Sequence, residues 1–416
     1  MQYTTETIAS HELPLFIDGQ WRDPHSKQYF DSYNPATGEP WYRAAEANAA
    51  DVDAAISAAR NALRDPQWGE LTQSVRGEHL FRLADLIGQH HQELAEIETR
   101  DNGKLIRETR AQIGFLRDYY RYFAGMADKL QGDTVPINKS AMLNMTLREP
   151  IGVIGIIVPW NSPLYMMSCT LAPCLAVGNT VVIKPSEHTS ASAIAFAELI
   201  VEAGFPPGVV NIVTGAGAST GDALTRHSGI DKIAFTGGTE TGRKVATNAA
   251  QNIVPCNLEL GGKSPHVVFG DADLERAANG VVAGVFAAAG QTCVAGSRCF
   301  VEASIHDDLV ALLQEKSSQI ILGDPSAEET QIGPLALREQ LEKVTRYVGY
   351  GVEDGAALIA GGKQPDNEKC AGGWYFEPTL FTDVDNSMRI ARDEIFGPVA
   401  GIIKFQSEKE LLALAN

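Results

Sequence analysis

Several features that would assign this 416-residue chain to a class of protein are missing from its sequence. The six cysteines include no Cys-x-x-Cys pair, which argues against a zinc or disulfide framework and indicates reduced thiols. No apolar run approaches the ~20 residues that a membrane-spanning helix needs. The N-terminus carries neither the basic nor the apolar segment of a signal peptide. We therefore expect a cytoplasmic protein with no membrane span and no bound metal.

Basic residues are also few. The chain has 34 Lys and Arg against 52 Asp and Glu, which gives a formal net charge of -18. Such a surface repels nucleic acid and anionic membranes, so neither is an expected partner. The apolar fraction of 44% is ordinary for a globular protein. A chain of this length exceeds a typical single core, so two or more domains are expected.

The N-terminal third contains a hairpin signal and helical patterns. Asp18-Gly19 supplies a turn inside residues 15–21. Residues 1–14 are expected to form a loose arm, and Asp51 is expected to cap the helix that follows it. Long amphipathic helices are predicted near residues 70–100 and 105–125. The next stretch, 130–149, interrupts the pattern as either a projecting strand pair or a surface loop.

From residue 151 onward, short apolar strands alternate with helical segments. This alternation predicts a parallel sheet that is covered by helices on both faces. The predicted strands are 151–158, 180–184, 209–213 and 232–235, and the predicted helices are 164–176, 191–203, 219–225 and 239–249. After residue 298 the alternation restarts, which predicts a second α/β domain.

Polar and glycine residues follow each predicted strand, at the sheet edge where ligands of parallel sheets bind. They are Pro159-Trp160-Asn161, Lys184-Pro185-Ser186-Glu187, Gly215-Ala216-Gly217 and Thr236 to Gly242. Glycine turns that enter helices can hold phosphate, and a carboxylate can bind ribose hydroxyls while repelling a 2′-phosphate. Together, the residues that follow these four strands favour a site for a dinucleotide, and for NAD in preference to NADP. Each glycine turn alone is weak evidence, because most such turns only connect elements.

Cys293 lies in a stretch of small residues, Phe286 to Arg298. A sulfur that attacks a substrate needs open space and nearby donors, which small neighbours provide. The alternative is a buried cysteine that packs as a small apolar residue.

Two carboxylates further along the chain are candidates for function. Glu259 stands on a short apolar strand that ends in two glycines, where an acid is either paired or functional, because burying it unpaired is costly. A salt bridge to Lys263 is the structural alternative to a general base. Glu394 precedes Phe396 and a Gly-Pro turn.

Six motifs occur in an order that resembles the NAD(P)-dependent aldehyde dehydrogenase family, in its hydrolytic branch. They are PWN at Pro159, KPSE at Lys184, FTGGTETG at Phe235, LELGGKSP at Leu258, GQTC at Gly290 and EIFGP at Glu394. The resemblance runs from about Leu15 to the last residue. It implies a three-layer αβα fold with a discontinuous Rossmann-like NAD-binding domain, a small β excursion for oligomerisation and an α/β catalytic domain. The NAD-binding domain would comprise residues 1–128 and 151–260. The β excursion would be residues 129–150, and the catalytic domain residues 261–416.

The resemblance also implies a reaction. Cys293 would attack an aldehyde, and the Asn161 side chain with the Cys293 N–H would hold the oxyanion. Hydride loss from the thiohemiacetal to NAD would leave a thioester, and Glu259 would activate the water that releases the acid. CoA-acylating relatives lack this glutamate, so its presence favours hydrolysis.

Further residues acquire expected roles in the same way. Lys184 and Glu187 would hold the adenosine ribose, Gly237 and Gly238 the pyrophosphate, and Glu394 the nicotinamide ribose. The other expected cofactor residues are Val158, Trp160, Gly215, Gly242, Leu260 and Phe396. The expected substrate pocket contains Cys169, where many members carry tryptophan, together with Thr292 and Val294.

The expected partner is a small-molecule aldehyde. Family members extend several tens of residues past Asn416, and that segment is expected to complete the catalytic domain and to support a homodimer or homotetramer. Three alternatives remain: a truncated homologue that only binds cofactor, a CoA-acylating enzyme, and a Cys–His hydrolase that uses His266.

Overall fold

The computed structural model describes residues 2–416 and divides them into two compact units. The first comprises the described residues up to 32 with 41–98 and 110–259, and the second comprises 33–40, 99–109 and 260–416. One boundary between the units lies between residues 259 and 260. Segments 33–40 and 99–109, however, belong to the second unit, because they pack with its residues.

The regular elements follow one another in α/β alternation from residue 153. The strands are β1 (Glu12–Leu13), β2 (Leu15–Ile17), β3 (Gln20–Arg22), β4 (Tyr29–Asn34), β5 (Glu39–Ala45), β6 (Val153–Ile157), β7 (Thr180–Lys184), β8 (Val210–Ile212), β9 (Lys232–Gly237), β10 (Cys256–Leu260), β11 (Pro265–Val268), β12 (Arg298–Glu302), β13 (Ala357–Ala360), β14 (Thr379–Thr382) and β15 (Val399–Phe405). The helices are α1 (Thr5–Ala9), α2 (Ala49–Arg64), α3 (Pro66–Gly69), α4 (Gln73–Asn102), α5 (Ile106–Met126), α6 (Pro163–Ala176), α7 (Ala191–Glu202), α8 (Asp222–Arg226), α9 (Thr239–Gln251), α10 (Leu274–Phe286), α11 (His306–Ser318), α12 (Arg338–Glu353), α13 (Arg389–Arg392) and α14 (Glu408–Ala415).

The N-terminal segment confirms one prediction and corrects two. β2 and β3 pair in antiparallel fashion, and Asp18 and Gly19 both have positive φ, as a tight hairpin turn requires. The prediction that residues 1–14 form a loose arm is wrong, because α1 and β1 form in this segment. The N-cap of α2 is Asn48 rather than Asp51. Asp51 instead completes the capping box by accepting from the Asn48 N–H.

The sheet of the first unit has the order β10-β9-β6-β7-β8-β2-β3. β6 pairs in parallel with both β7 and β9, and β7 pairs in parallel with β8. The chain runs from β6 to β8 on one side and returns with β9 on the other. The strand order therefore reverses at β6 and β9, which is where parallel sheets form ligand sites. Apolar residues such as Val153, Val182 and Ile233 form the core beneath this edge.

The sheet of the second unit has the order β11-β12-β15-β14-β13. The pairs β11–β12, β12–β15 and β14–β15 are parallel, and β13 is antiparallel to β14. Its fully buried aromatic side chains include Phe300, Phe381 and Phe405. The parallel α/β prediction is confirmed here, although the sequence analysis did not find β11.

The excursion after α5 is a hairpin-like segment in which every residue from 128 to 151 is exposed. A single antiparallel bridge joins Thr134 to Met145, and the Val135 N–H donates to the Asn144 carbonyl at 2.9 Å. The structure thus lies between the two expected alternatives, a strand pair and a loop. No helix within residues 2–416 is both long and apolar enough to cross a bilayer.

Candidate active site

Cys293 lies in the connection between α10 and β12, in the second unit. Of the six cysteines, all of which are described, it alone is exposed. Cys299, six residues on, is fully buried on β12, and burial raises the pKa of its thiol to about 12. The alternative of a buried packing cysteine therefore applies to Cys299 and is wrong for Cys293. An exposed thiol among small residues is placed to react with a small electrophile.

The backbone around Cys293 leaves a donor free. The Thr292 carbonyl accepts from the Ala295 N–H at 3.1 Å, and the Gly296 N–H donates to the Gly284 carbonyl at 3.1 Å. Within residues 2–416, no protein acceptor receives the Cys293 N–H. A backbone N–H next to a nucleophile is a donor suited to an oxyanion.

A left-handed turn precedes the cysteine. Ala288 has φ 50°, Ala289 has φ 54° and Gly290 has φ 71°. Left-handed backbone is costly for alanine and free for glycine. At Gly290 a Cβ atom would collide with the backbone at Gly397 and Pro398. Glycine at this position therefore lets residues 288–293, here called the thiol loop, pack directly against the Glu394–Pro398 loop of the same unit.

The carboxylate of Glu394 lies against the backbone that follows β10. Its Oε1 accepts from the Gly262 N–H at 3.3 Å, and a side chain at Gly261 would overlap the carboxylate. Phe396 also has a left-handed backbone, with φ 61°. The Gln340 amide donates to the carbonyls of Ile395 and Phe396, each at 2.7 Å, and so fixes this loop.

Lys263 adds a partly buried cation to this region. Burial, and to a lesser extent nearby Arg298, lower the pKa of its ammonium to about 8, although the carboxylates of Glu394 and Asp393 oppose the shift. The amine therefore changes charge near neutral pH, unlike an exposed lysine.

Glu259 differs from the expectation of a buried acid. It is exposed near the end of β10, and its Oε1 accepts from the Asn257 amide at 3.2 Å. Among the described residues, the carboxylates that act on the Lys263 ammonium are those of Glu394 and Asp393, and Glu259 is not one of them. Leu260, which follows it, is also exposed. The salt-bridge alternative is thus wrong, and the carboxylate is open to water.

Asn161 follows β6 and lies one residue before Ser162, the N-cap of α6. The Ser162 side chain makes no cap hydrogen bond. Glu98, which is fully buried on α4, accepts from the Leu164 N–H at 3.1 Å and from the Ser192 hydroxyl at 3.3 Å. A buried carboxylate at a helix N-terminus is stabilised by the helix dipole, and here it fixes the start of α6 beside Asn161.

Lys184 and Glu187 form an ion pair after β7, with Nζ and Oε2 at 3.2 Å. The Lys184 side chain is buried, and its Nζ also donates to the Pro185 carbonyl at 2.9 Å. Burial alone would raise the pKa of Glu187. The Lys184 cation and the Gly217 N–H outweigh burial and hold that pKa below its usual value. The carboxylate is therefore ionised and can accept hydroxyl donors.

The two glycine turns differ in what they offer a ligand. At Gly215, the following N–H groups are already used: that of Ala216 donates to Glu46 and that of Gly217 to Glu187, both at 3.1 Å. Helix α9, in contrast, has Gly238 as its N-cap residue and no side-chain cap hydrogen bond, and its first residues are exposed. A Cβ at Gly238 would meet nothing within 4 Å. The N-terminus of α9 therefore leaves its backbone N–H groups more open to an anion than the turn at Gly215 does.

The remaining cofactor candidates surround these turns. Val158 is buried and donates its N–H to the Lys184 carbonyl at 3.0 Å, and Trp160 is partly exposed. Gly237 ends β9, and a Cβ there would overlap the Phe235 ring. Gly242 is buried in the first turn of α9, where its N–H donates to the Gly238 carbonyl at 3.0 Å. These residues shape the backbone of the sheet edge.

The expected substrate-pocket residues lie in both units. Cys169, on α6, is half-buried, and burial raises the pKa of its thiol. The Tyr119 hydroxyl donates to the Cys169 carbonyl at 3.1 Å. Thr292 is partly exposed, and Val294 is 76% exposed. The Val294 side chain is free to contact a ligand.

His266 does not pair with the thiol. It lies half-buried on β11, where a Cβ at Gly284 or Gly296 would contact it. No hydrogen bond joins its ring to Cys293 in residues 2–416, and burial lowers the pKa of its imidazole. A Cys–His pair is therefore not formed.

Four supporting side chains escaped the sequence analysis. Each makes a hydrogen bond to a backbone group of a loop that carries candidate site residues: Glu46, Glu108, Gln291 and Gln340. Three of them are far in sequence from the backbone groups they hold, and no local pattern marks such contacts. Gln291 alone carried a signal, since it stands two residues before Cys293.

Comparison with known proteins identifies the family. Residues 21–416 match the aldehyde dehydrogenase family. A (Z)-2-((N-methylformamido)methylene)-5-hydroxybutyrolactone dehydrogenase of Acinetobacter baylyi is 44% identical over 407 residues, 97% of this chain and 82% of that protein. Betaine aldehyde dehydrogenase of Bacillus subtilis is 43% identical over 404 residues, with 97% and 82% covered. The chain belongs to the aldehyde dehydrogenase family.

Solved structures agree. The NAD+ complex of an aldehyde dehydrogenase from Bacillus cereus has a TM-score of 0.96 and 42% identity, covering 99% of this chain and 83% of that one. A betaine aldehyde dehydrogenase from Staphylococcus aureus, also with NAD+, has a TM-score of 0.97 and 38% identity, with 99% and 82% covered. The predicted family and α/β fold are confirmed.

Proposed function

We propose that this chain oxidises an aldehyde to the carboxylic acid with NAD+ as the hydride acceptor. One observation carries the proposal: the single exposed thiol, Cys293, stands on a constrained turn with its own N–H unused by the described protein. A nucleophile beside an oxyanion donor is what acyl chemistry requires. The family membership supports the same activity.

In the proposed reaction, the Cys293 thiolate forms a bond to the carbonyl carbon. The carbonyl oxygen becomes an oxyanion that the Cys293 N–H and the Asn161 side-chain amide stabilise. A hydride then leaves that carbon, the C=O bond reforms, and a thioester remains on Cys293. The chemistry that NAD+ supplies, when bound, is acceptance of this hydride.

Hydrolysis of the thioester is assigned to Glu259. Its carboxylate removes a proton from water, the hydroxide attacks the thioester carbon, and the Cys293 thiolate leaves. The exposure of Glu259 supports this assignment, because a base that activates water must be reached by water. A CoA-acylating reaction would need no such acid, so hydrolysis is the favoured outcome.

The residues of the first unit fit a dinucleotide. The uncapped N-terminus of α9 at Gly238 would hold a phosphate, and the ionised Glu187, beside Lys184, would accept ribose hydroxyls. A carboxylate there disfavours a 2′-phosphate, which supports NAD over NADP. In the second unit, Glu394 is proposed to hold the other ribose, with Phe396 near it. The carboxylate of Glu394 is partly exposed, as this role requires.

Supporting roles are proposed for the other candidates. Val158, Trp160, Gly215, Gly237, Gly242 and Leu260 would shape the cofactor site, and Cys169, Thr292 and Val294 would contact the aldehyde. The exposed hairpin 129–150 would pair with another subunit, in a homodimer or homotetramer. It presents Leu143 at 70% and Leu147 at 76% exposure, which a monomer would leave in water.

The test is spectroscopic. Purified protein is mixed with NAD+ and a panel of aliphatic, aromatic and charged aldehydes, and absorbance of NADH is followed. Acid formation is checked by chromatography, with and without CoA. Equal amounts of NADH and free acid support the proposal. Acyl-CoA as product would instead establish the acylating reaction, and no NADH with any aldehyde would refute the oxidation.

A further inference from the structure

The turn before Cys293 is strained. Ala288 and Ala289 both adopt the left-handed conformation, at φ 50°, ψ 35° and φ 54°, ψ 34°. Alanine occupies this region rarely, because its Cβ approaches the following carbonyl oxygen. Such residues persist only where surrounding contacts determine them. Ala288 and Ala289 lie five and four residues before the exposed thiol of Cys293. Their left-handed conformation must therefore be stabilised by surrounding contacts.

Both polar backbone groups of Ala288 are held. Its N–H donates to Glu108 Oε1 at 3.0 Å. Its carbonyl accepts from the Gln291 Nε2 at 3.2 Å and from the Gln291 N–H at 3.0 Å. All three residues belong to the second unit. The peptide groups on either side of Ala288 are thus fixed in orientation.

The holding side chains are themselves anchored. Gln291 is buried, and its Oε1 accepts from the Ala336 N–H at 2.9 Å. Glu108 stands in the first turn of α5, whose start is tied to the unit by the Ile106 N–H, at 2.8 Å from the Pro325 carbonyl. The other oxygen of Glu108, Oε2, is buried with no partner among residues 2–416.

We propose that Glu108 is a positioning residue for the thiol loop. By holding the Ala288 N–H, it stabilises the left-handed turn and thereby orients the Cys293 peptide, whose N–H receives the oxyanion. The inference rests on the proposed role of Cys293 as nucleophile. It assigns a function to Glu108, a residue that touches no reacting atom.

Two thiol reactions distinguish positioning from general stability. With p-nitrophenyl acetate, Cys293 Sγ bonds to the ester carbon, an oxyanion forms, and the C–O bond then breaks to release nitrophenolate. With iodoacetamide, Sγ displaces iodide from a saturated carbon and no oxyanion forms. Only the first reaction depends on the direction of the Cys293 N–H. Both are measured without cofactor, by absorbance and by mass spectrometry of the Cys293 peptide.

We expect Glu108→Ala to lower the acylation rate about tenfold, because the turn loses the contact that offsets its left-handed cost. Alkylation by iodoacetamide should be unchanged. Glu108→Gln should retain acylation, since its amide oxygen still accepts from Ala288. Adding Ala288→Gly to Glu108→Ala should restore part of the rate, because glycine adopts positive φ freely. Glu329→Ala, an exposed carboxylate of the same unit, is the control.

Either of two results would overturn the proposal: acylation in Glu108→Ala at the wild-type rate, or a parallel fall in both reactions, which indicates a structural role only. Glu108→Met keeps the side-chain volume and replaces the alanine variant if that variant does not fold. Failure of the proposed function looks different. In that case the wild-type protein itself is not acylated at Cys293, and the inference falls with it.

Discussion

Lys184 Nζ lies 3.2 Å from Glu187 Oε2, and the second oxygen of Glu187 accepts from the Gly217 N–H at 3.1 Å. One carboxylate therefore ties the end of β7 to the glycine turn after β8. The buried cation and the N–H together keep the Glu187 pKa low. This arrangement places a fixed negative charge at the edge where a dinucleotide is proposed to bind.

Neutralising that charge should change cofactor preference. We expect Glu187→Gln to lower the ratio of kcat/KM for NAD+ to that for NADP+ by about tenfold, since a hydrogen bond to a charged group is lost and a repulsion is removed. Steady-state rates with the two cofactors measure this. Glu202→Gln, an exposed acid on α7, should leave the ratio unchanged. An unaltered ratio in Glu187→Gln would show that Glu187 does not contact the ribose.

Replacing Glu259 should separate the two halves of the reaction. Glu259→Gln keeps the side-chain size but cannot accept a proton from water, so thioester formation proceeds and hydrolysis slows about a hundredfold. Rapid mixing should show a burst of NADH near one equivalent per subunit, and mass spectrometry an acyl group on Cys293. Glu408→Gln, an exposed acid on α14, serves as the control. Unchanged steady-state turnover would remove Glu259 from the mechanism.

Lys263 should give stability a specific pH dependence. Its pKa is about 8 in the folded protein against 10.5 ordinarily, so between these values the unfolded chain binds more protons. Its contribution to the free energy of unfolding should therefore rise with pH over this window, by up to about 1.4 kcal/mol per pH unit. Urea unfolding at pH 7.5, 8.5 and 9.5 measures it, with Lys263→Met as the comparison. Identical pH profiles for the two proteins would contradict the assignment.

The exposed hairpin should control assembly. Replacing Leu143 and Leu147 with aspartate puts charges on residues proposed to be buried between subunits, so sedimentation should show a shift toward monomer. Ile253→Asp is a matched control, since Ile253 is 92% exposed outside the hairpin. Aspartate also tolerates the left-handed backbone of Ile253, at φ 56°. The same sedimentation coefficient in all three proteins would show that the hairpin makes no subunit contact.

Local patterns in the sequence predicted most of the fold. Asp18-Gly19 specifies its hairpin through the backbone freedom of the turn, and the alternation after Ile151 specifies the parallel sheet. β11 was missed because it follows β10 after only four residues, Gly261 to Ser264, without a helix between them. The N-cap was misplaced by three residues because both Asn48 and Asp51 are good capping residues, and their spacing makes them one capping box.

The surroundings of the candidate site residues were predictable only in part. Cys293 is exposed, as a nucleophile must be, whereas Glu259 is exposed where an apolar strand suggested burial. The reason is that β10 is an edge strand of its sheet, so the apolar residues next to Glu259 in the sequence do not bury its side chain. The contact of Glu108 with Ala288 spans 180 residues, and no local pattern could reveal it.

The most direct test of the proposed chemistry is NADH formation by this chain and by its Cys293→Ala variant, with NAD+ and the same aldehydes. Cys174→Ala is the matched control, because burial raises the pKa of that thiol to about 12 and keeps it protonated. We predict turnover in the wild-type and Cys174→Ala proteins. In Cys293→Ala we predict none, with NAD+ binding intact by calorimetry. Turnover that survives in Cys293→Ala would contradict the account.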